Sequence, residues 1–175
     1  MFPPVKRYFV EMRFKPMPKY HQGVLAVPKP ALKDSPVGKL LIQPMVRVGN
    51  EISKLDDVIG QNFALIAWEH RPEMQGLSEA EIQHWQQLGT KFIQVVPIPV
   101  QLKSQIQTHP DVLCVGDETH ALKDWFGRYP ASVAIIRPDR FVASIAIPQS
   151  INTICQQVRK ALSAWHSRTA TRLLN

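Results

Sequence analysis

Residues 63–96 read FALIAWEHRPEMQGLSEAEIQHWQQLGTKFIQVV, and the order of textures in that stretch decides the fold. Phe63-Ala64-Leu65-Ile66-Ala67-Trp68 is a six-residue apolar run between polar neighbours. That is strand length, in the pattern of a strand covered on both faces. A helix start follows. Ser78 can accept from the first free amides, Glu81 three residues on completes a capping-box pattern, and Leu77 and Ile82 have the spacing of a hydrophobic staple. Ile82, Trp85 and Leu88 give a modest inward face, and Gly89 supplies the left-handed residue that closes a helix. Lys91-Phe92-Ile93-Gln94-Val95-Val96 is a second strand. Strand, helix, strand is a βαβ unit, which implies parallel pairing and a right-handed crossover.

Downstream, a short helix is expected over Val100–Gln107 and a short strand over Val112–Val115. Asp117 is placed to cap a helix through Leu122, Trp125 and Phe126 that ends at Gly127. Ser132–Ile136 and Phe141–Ile147 flank the turn Arg137-Pro138-Asp139-Arg140, a hairpin. Ile151, Ile154, Cys155, Val158, Leu162 and Trp165 fall on one face of a final helix, with Ser150 before it as a candidate cap and Arg159, Lys160, His166 and Arg168 toward its carboxyl end. The order β-α-β, α, β-hairpin, α is that of a thioredoxin-like core. The fold class read from the chain is therefore α/β, a thioredoxin-like core (βαβ-α-ββ-α) preceded by an extended Pro-rich arm. The boundaries are an arm over 1–54, the domain over 55–168 and a tail over 169–175.

The arm reading rests on proline. Eight of the 15 prolines lie in residues 1–44, and Pro16, Pro18, Pro28, Pro30, Pro36 and Pro44 exclude a helix there. Tyr8–Val10, Gly23–Val27 and Lys39–Ile42 are its candidate strand pieces. The arm has too few apolar residues to fold alone, so it must lie on the body or on another domain. Charge follows the same division: the formal net charge is +7, with the arm and the end of the chain basic and the middle mildly acidic. No basic run is dense and no nucleic-acid motif occurs, so the basic ends read as solvated or as docking on a neighbour rather than on nucleic acid. No apolar run approaches 18 residues, and the N-terminus has no continuous apolar stretch. Neither a membrane span nor a secretory signal is read. Two cysteines far apart indicate no disulfide framework, and a reducing cytoplasm is the expected compartment.

This fold usually carries its chemistry just after the first core strand. A thioredoxin needs paired cysteines after the first core strand, at a helix N-terminus that favours thiolate, and a peroxiredoxin needs one there. Here that strand runs into Glu69-His70-Arg71-Pro72, and no cysteine lies between Trp68 and Thr90. Cys114 and Cys155 read as core residues. His21, His70, His84, His109, His120 and His166 are scattered without metal-ligand spacing. Asp56-Asp57 reads as helix capping ahead of Val58-Ile59-Gly60. Neither GxSxG nor GxGxxG occurs. No catalytic, cofactor-binding or metal-binding residue is assigned. Pro130, just before the third core strand, occupies the place of the cis-proline of thioredoxin-like folds, with cis and trans both open.

Several segments together resemble the C-terminal region of the FAD-dependent aromatic hydroxylases of the 3-(3-hydroxyphenyl)propionate hydroxylase group. They are Met12–Tyr20 (MRFKPMPKY), Val37–Pro44 (VGKLLIQP), Leu55–Ile66 (LDDVIGQNFALI), Leu122–Phe126 (LKDWF) and Ile136–Ala143 (IRPDRFVA). LDDVIG and RPDRFVA are the more specific pieces. The resemblance implies a thioredoxin-like appendage without redox cysteines, and FAD and NAD(P)H for the complete enzyme. It also implies a neighbouring FAD/substrate domain as the appendage's partner, with a packing or subunit-association role and homo-oligomerisation open. No FAD-binding motif of the family has a matching position, so no cofactor is expected on this chain itself. The alternative of a different class is a self-standing, non-catalytic binding protein derived from that family. A stand-alone flavoenzyme would be a third possibility, one that requires flavin on this chain.

Overall fold

The computed structural model describes residues 18–30, 32–70, 76–100 and 111–173, with side chains through Ser167. The strand expected at Tyr8–Val10 and all but the first residue of the helix expected at Val100–Gln107 lie outside the described residues.

Seven strands form one mixed sheet: β1 (Met45–Val48), β2 (Glu51–Lys54), β3 (Ala64–Trp68), β4 (Lys91–Pro97), β5 (Val112–Asp117), β6 (Val133–Ile136) and β7 (Val142–Ala146), in the order β2-β1-β5-β4-β3-β6-β7. The helices are α1 (Leu55–Ile59), α2 (Glu79–Gln87), α3 (Ala121–Gly127) and α4 (Ile151–Leu173). β3, β4 and β5 run parallel, with Ala64 opposite Lys91 and Phe92 opposite Val112. β6 returns antiparallel against β3, Ile66 opposite Ala134, and β7 antiparallel against β6. The βαβ unit, the hairpin and the closing helix are thus where the sequence put them.

The unbroken apolar run of β3 follows from a sheet covered on both faces. Ala64 and Ile66 pack with Leu55, Ile59, Leu122 and Trp125 under α1 and α3. Leu65 and Ala67 pack with Trp85, Ile151, Cys155 and Val158 under α2 and α4. At α2 the Ser78 hydroxyl accepts from the Glu81 amide at 3.4 Å, as the capping pattern requires. The reciprocal half is replaced: the Glu81 carboxylate pairs with Arg159 of α4 at 2.9 Å, and the Ser78 amide donates to Asn152 Oδ1 at 3.0 Å. The box has become a joint between two helices.

The described part of the arm lies along the β7 edge. Ala26 N–H donates to the Ala143 carbonyl at 2.9 Å and Gly38 N–H to the Val142 carbonyl at 2.8 Å. Val142 N–H donates back to Lys39 at 2.9 Å, and Leu41 N–H donates to the Arg140 carbonyl at 2.9 Å. These bonds occupy groups that a bare edge strand would offer to other chains. Gly38 is obligatory here. Its φ is +78°, and a Cβ would stand 2.0 Å from the Tyr20 carbonyl oxygen.

The structure departs from the sequence reading at four places, and at a fifth it decides what that reading left open. Residues 45–54, taken as the end of the arm, form the hairpin β1–β2, joined to the sheet by Val46 opposite Asp117 and Arg47 opposite Gly116. The boundary drawn at residue 55 has no linker, since Lys54 ends β2 and Leu55 begins α1. α4 runs on to Leu173, through most of the expected tail. Trp165, assigned to its inward face, is 55% exposed, because a helix about 35 Å long outruns a five-residue strand of about 17 Å. The Tyr129–Pro130 bond is trans; the cis bond found among the described residues is Lys29–Pro30. Pro130 instead centres a tight turn in which Ala131 N–H donates to the Tyr129 carbonyl at 2.8 Å, a geometry suited to proline's fixed φ.

Candidate functional site

In this topology the natural place for chemistry is the carboxyl end of β3, facing the segment that enters β6. Trp68 N–H donates to the Ser132 carbonyl at 3.1 Å, so the two segments are locked together. β3 then leaves through Glu69, which holds a left-handed φ of 60°, donates its amide to Val95 at 2.7 Å and accepts from Gln94 Nε2 at 3.2 Å. A cleft of about 640 Å³ opens here between Trp68, Glu69 and His70 on one side and Lys123, Phe126 and Arg128 of α3 and its end on the other. Its charged or titratable groups are two carboxylates (Glu69 and Asp124), an imidazole, an amine and a guanidinium. No thiol lines it.

The two cysteines lie elsewhere. Cys114 sits half-buried on β5, and burial raises its thiol above the ordinary value. Cys155 is fully buried on α4, where burial first, and the Glu81 carboxylate second, push its thiol far up. Neither environment favours thiolate, and thiolate is the reactive form. Among the described residues no three His, Cys, Asp or Glu side chains converge as a metal site would need. His21, His70, His120 and His166 are exposed, His84 packs edge-on to Trp85, and His109 lies outside the described residues.

Among the described residues no strand-to-helix turn offers a cradle for a dinucleotide. A pyrophosphate needs glycines in a strand-to-helix turn, so that backbone amides can approach it. The β5-to-α3 turn is Glu118-Thr119-His120, without glycine, and β3 passes into Glu69-His70. The described residues do not form such a cradle for FAD.

What the structure does bring together are the two most distinctive segments of the sequence. Arg140, at φ 69° in the β6–β7 turn, reaches across to α1. Its Nε lies 3.0 Å from Asp56 Oδ1, and its terminal nitrogen donates to the Asp56 carbonyl at 3.1 Å and also to the Gly60 carbonyl. Gln43 Nε2 donates to the other Asp56 oxygen at 2.6 Å. Asp56 is therefore not the N-cap, a position held by Lys54 without a side-chain bond; it is the acid of a three-way junction. Arg140 caps carbonyls at the C-terminal end of α1, where a cation is favoured. Asp117 likewise acts from a distance, accepting from the Lys123 amide at 2.9 Å while His120 occupies the N-cap of α3. No sequence pattern marks the Arg140 contact, because its partners are 80 and 84 residues away. The β1–β2 hairpin did carry a signal, the Gly49-Asn50 pair between two short runs, with Gly49 at φ 59°.

The fold class is shared with solved thioredoxin-like proteins. A thioredoxin-like protein from Bacteroides caccae superposes with a TM-score of 0.51 at 10% identity, over 69% of this chain and 49% of that one. The flavin-dependent monooxygenase PieE, in complex with FAD and substrate, superposes with a TM-score of 0.54 at 16% identity, over 83% of this chain and 25% of PieE. The HcaD C-terminal domain family matches residues 38–161, and the chain belongs to that family. It is 48% identical over 162 residues to the 3-(3-hydroxy-phenyl)propionate/3-hydroxycinnamic acid hydroxylase of Shigella sonnei (strain Ss046), a match covering 92% of this chain and 29% of the relative. The chain thus spans less than a third of the length of the curated relatives it matches. No helix among the described residues is long and apolar enough to cross a membrane.

Proposed function

We propose that the chain serves as the C-terminal, redox-inactive thioredoxin-like part of an FAD- and NAD(P)H-dependent aromatic-ring monooxygenase. Its task there is packing or subunit association, not electron transfer. The observation that carries this reading is the 48% identity over 92% of the chain to a hydroxylase. The cleft at Trp68–His70 supports the redox-inactive part, because the fold's usual chemical position holds no thiol there. FAD, NAD(P)H and the ring substrate belong to the portion of the hydroxylase that this chain does not span. The two free cysteines agree with a reducing cytoplasmic setting.

The test compares the purified chain with the longer protein that carries it. The chain alone should be colourless and should fail to reduce disulfides in the presence of dithiothreitol. The longer protein should bind flavin and oxidise NAD(P)H when given 3-(3-hydroxyphenyl)propionate or a related phenolic acid. Stoichiometric flavin on the chain alone, or disulfide reductase activity, would overturn the reading.

A further inference from the structure

Between the arm and β1 the chain crosses the face of the sheet that carries α1 and α3. Val37 and Leu41 of this crossing segment are buried in that face. Its outward side chains are not covered. Leu40 is 41% exposed, Ile42 37% and Met45 38%, and Tyr20, joined to Gly38 by a backbone bond, is 46% exposed. Beside them a groove of about 460 Å³ runs between Ile42–Met45 and α3, lined also by Trp125 and edged by Arg128. Lys19 and Lys39, paired across an isolated bridge, border the Tyr20 end of the strip. Exposed apolar side chains beside a groove edged by charge have the character of an interaction site.

We infer that the strip Tyr20–Leu40–Ile42–Met45, with the Trp125 groove, is the seat of the flavin-bearing portion of the hydroxylase. The partner surface would present an apolar centre with acidic groups around it. This rests on the hydroxylase reading above. Two observations choose this occupant. The curated relatives carry about 70% of their length outside the part matched here, so a large partner comes with the family. The rim of the strip also has a sign. Lys19, Lys39 and Arg128 outnumber Asp124, the acid that lines the groove, and this excess of positive charge favours an acidic partner over a second copy of the chain.

The experiment uses the longer hydroxylase that carries this chain, with the photo-crosslinking residue p-benzoylphenylalanine replacing Ile42. A second protein carries it in place of Ile52, an exposed residue on the β2 edge, outside the groove. On irradiation, position 42 should join to a peptide of the flavin-bearing portion within the same assembly, at least tenfold more than position 52. Equal yields at the two positions, no product at 42, or a product joining two copies of this chain would each overturn the inference. Flavin content and phenolic-acid-dependent NAD(P)H oxidation are measured on the unsubstituted protein. If these are absent, the hydroxylase reading fails; if they are present without the crosslink at 42, only the docking surface fails.

Discussion

The Arg140 junction and the Trp68 cleft make an instructive pair. Both lie at ends of core strands, both place a non-glycine residue at positive φ, and both gather charged side chains. At the junction every charged group is matched. Arg140 meets the carboxylate and carbonyl of Asp56 and the carbonyl of Gly60, and Gln43 takes the remaining carboxylate oxygen. At the cleft Glu69, His70, Lys123 and Arg128 stand apart around open space. The junction is where the chain holds itself together across 84 residues of sequence. The cleft is where related folds do chemistry, and here it has neither thiol nor metal-ligand cluster among the described residues. In this chain the distinctive residues serve architecture.

The contrast can be broken most forcefully at the junction. Arg140→Ala should cost about 3 kcal/mol, because it strands the Asp56 carboxylate and two carbonyls together. In a domain of this size that lowers Tm by roughly 6–12 °C in a thermal melt. A loss below about 1 kcal/mol would show that the junction does not hold the fold. The Arg159–Glu81 joint is the second lever. Arg159→Ala should cost about 1–2 kcal/mol, since it leaves Glu81, 3% exposed, without its cation. Glu81→Gln should cost less, because it removes the charge that needs pairing. Denaturant titration of the two variants distinguishes these outcomes, and the reverse ranking would contradict the joint.

The thiols give the third test. Cys155 stays protonated in the folded chain to a higher pH than in the unfolded chain, which titrates near 9. Rising pH therefore draws protons from the unfolded state alone, and stability contributed by this group falls above about pH 9 and is unchanged below it. Cys155→Ala should flatten that alkaline decline relative to the parent. In the folded protein at pH 8 a thiol reagent should modify Cys114 before Cys155. The smallest effects belong to the cleft: His70→Ala and Lys123→Ala should change stability by no more than about 0.5 kcal/mol, as exposed substitutions do. A larger loss from either would mean that the cleft is a structural element as well.

Local signals carried most of the fold in the sequence. The apolar run at Phe63–Trp68, the Ser78 cap, the Gly89 stop and the Arg137–Arg140 turn each set an element by neighbours a few residues away, and the structure has all four. What escaped was set by distance or by brevity. β1 and β2 are four residues each, too short for periodicity to speak, and their turn was the one legible sign. Asp117 does cap α3, accepting the Lys123 amide of its first turn, although His120 holds the N-cap position. Asp56 looked like a cap because capping is the commonest local use of aspartate, and its real partner, Arg140, comes from tertiary contact. That no thiol stands at this position is read from the sequence itself. That Glu69 turns there in a left-handed conformation is not, because nothing in its neighbours demands it.

The covered β7 edge has a consequence for anyone cutting this chain. The family match opens at residue 38, and a clone begun there keeps the whole matched unit. It would discard Val24 and Ala26, which are buried, and with them the backbone bond to Ala143 and the acceptor of the Ser144 hydroxyl. The freed strand would then offer its amides to any neighbouring molecule, and the shortened protein would be the one that precipitates. A cut upstream of Pro18 keeps that seam closed.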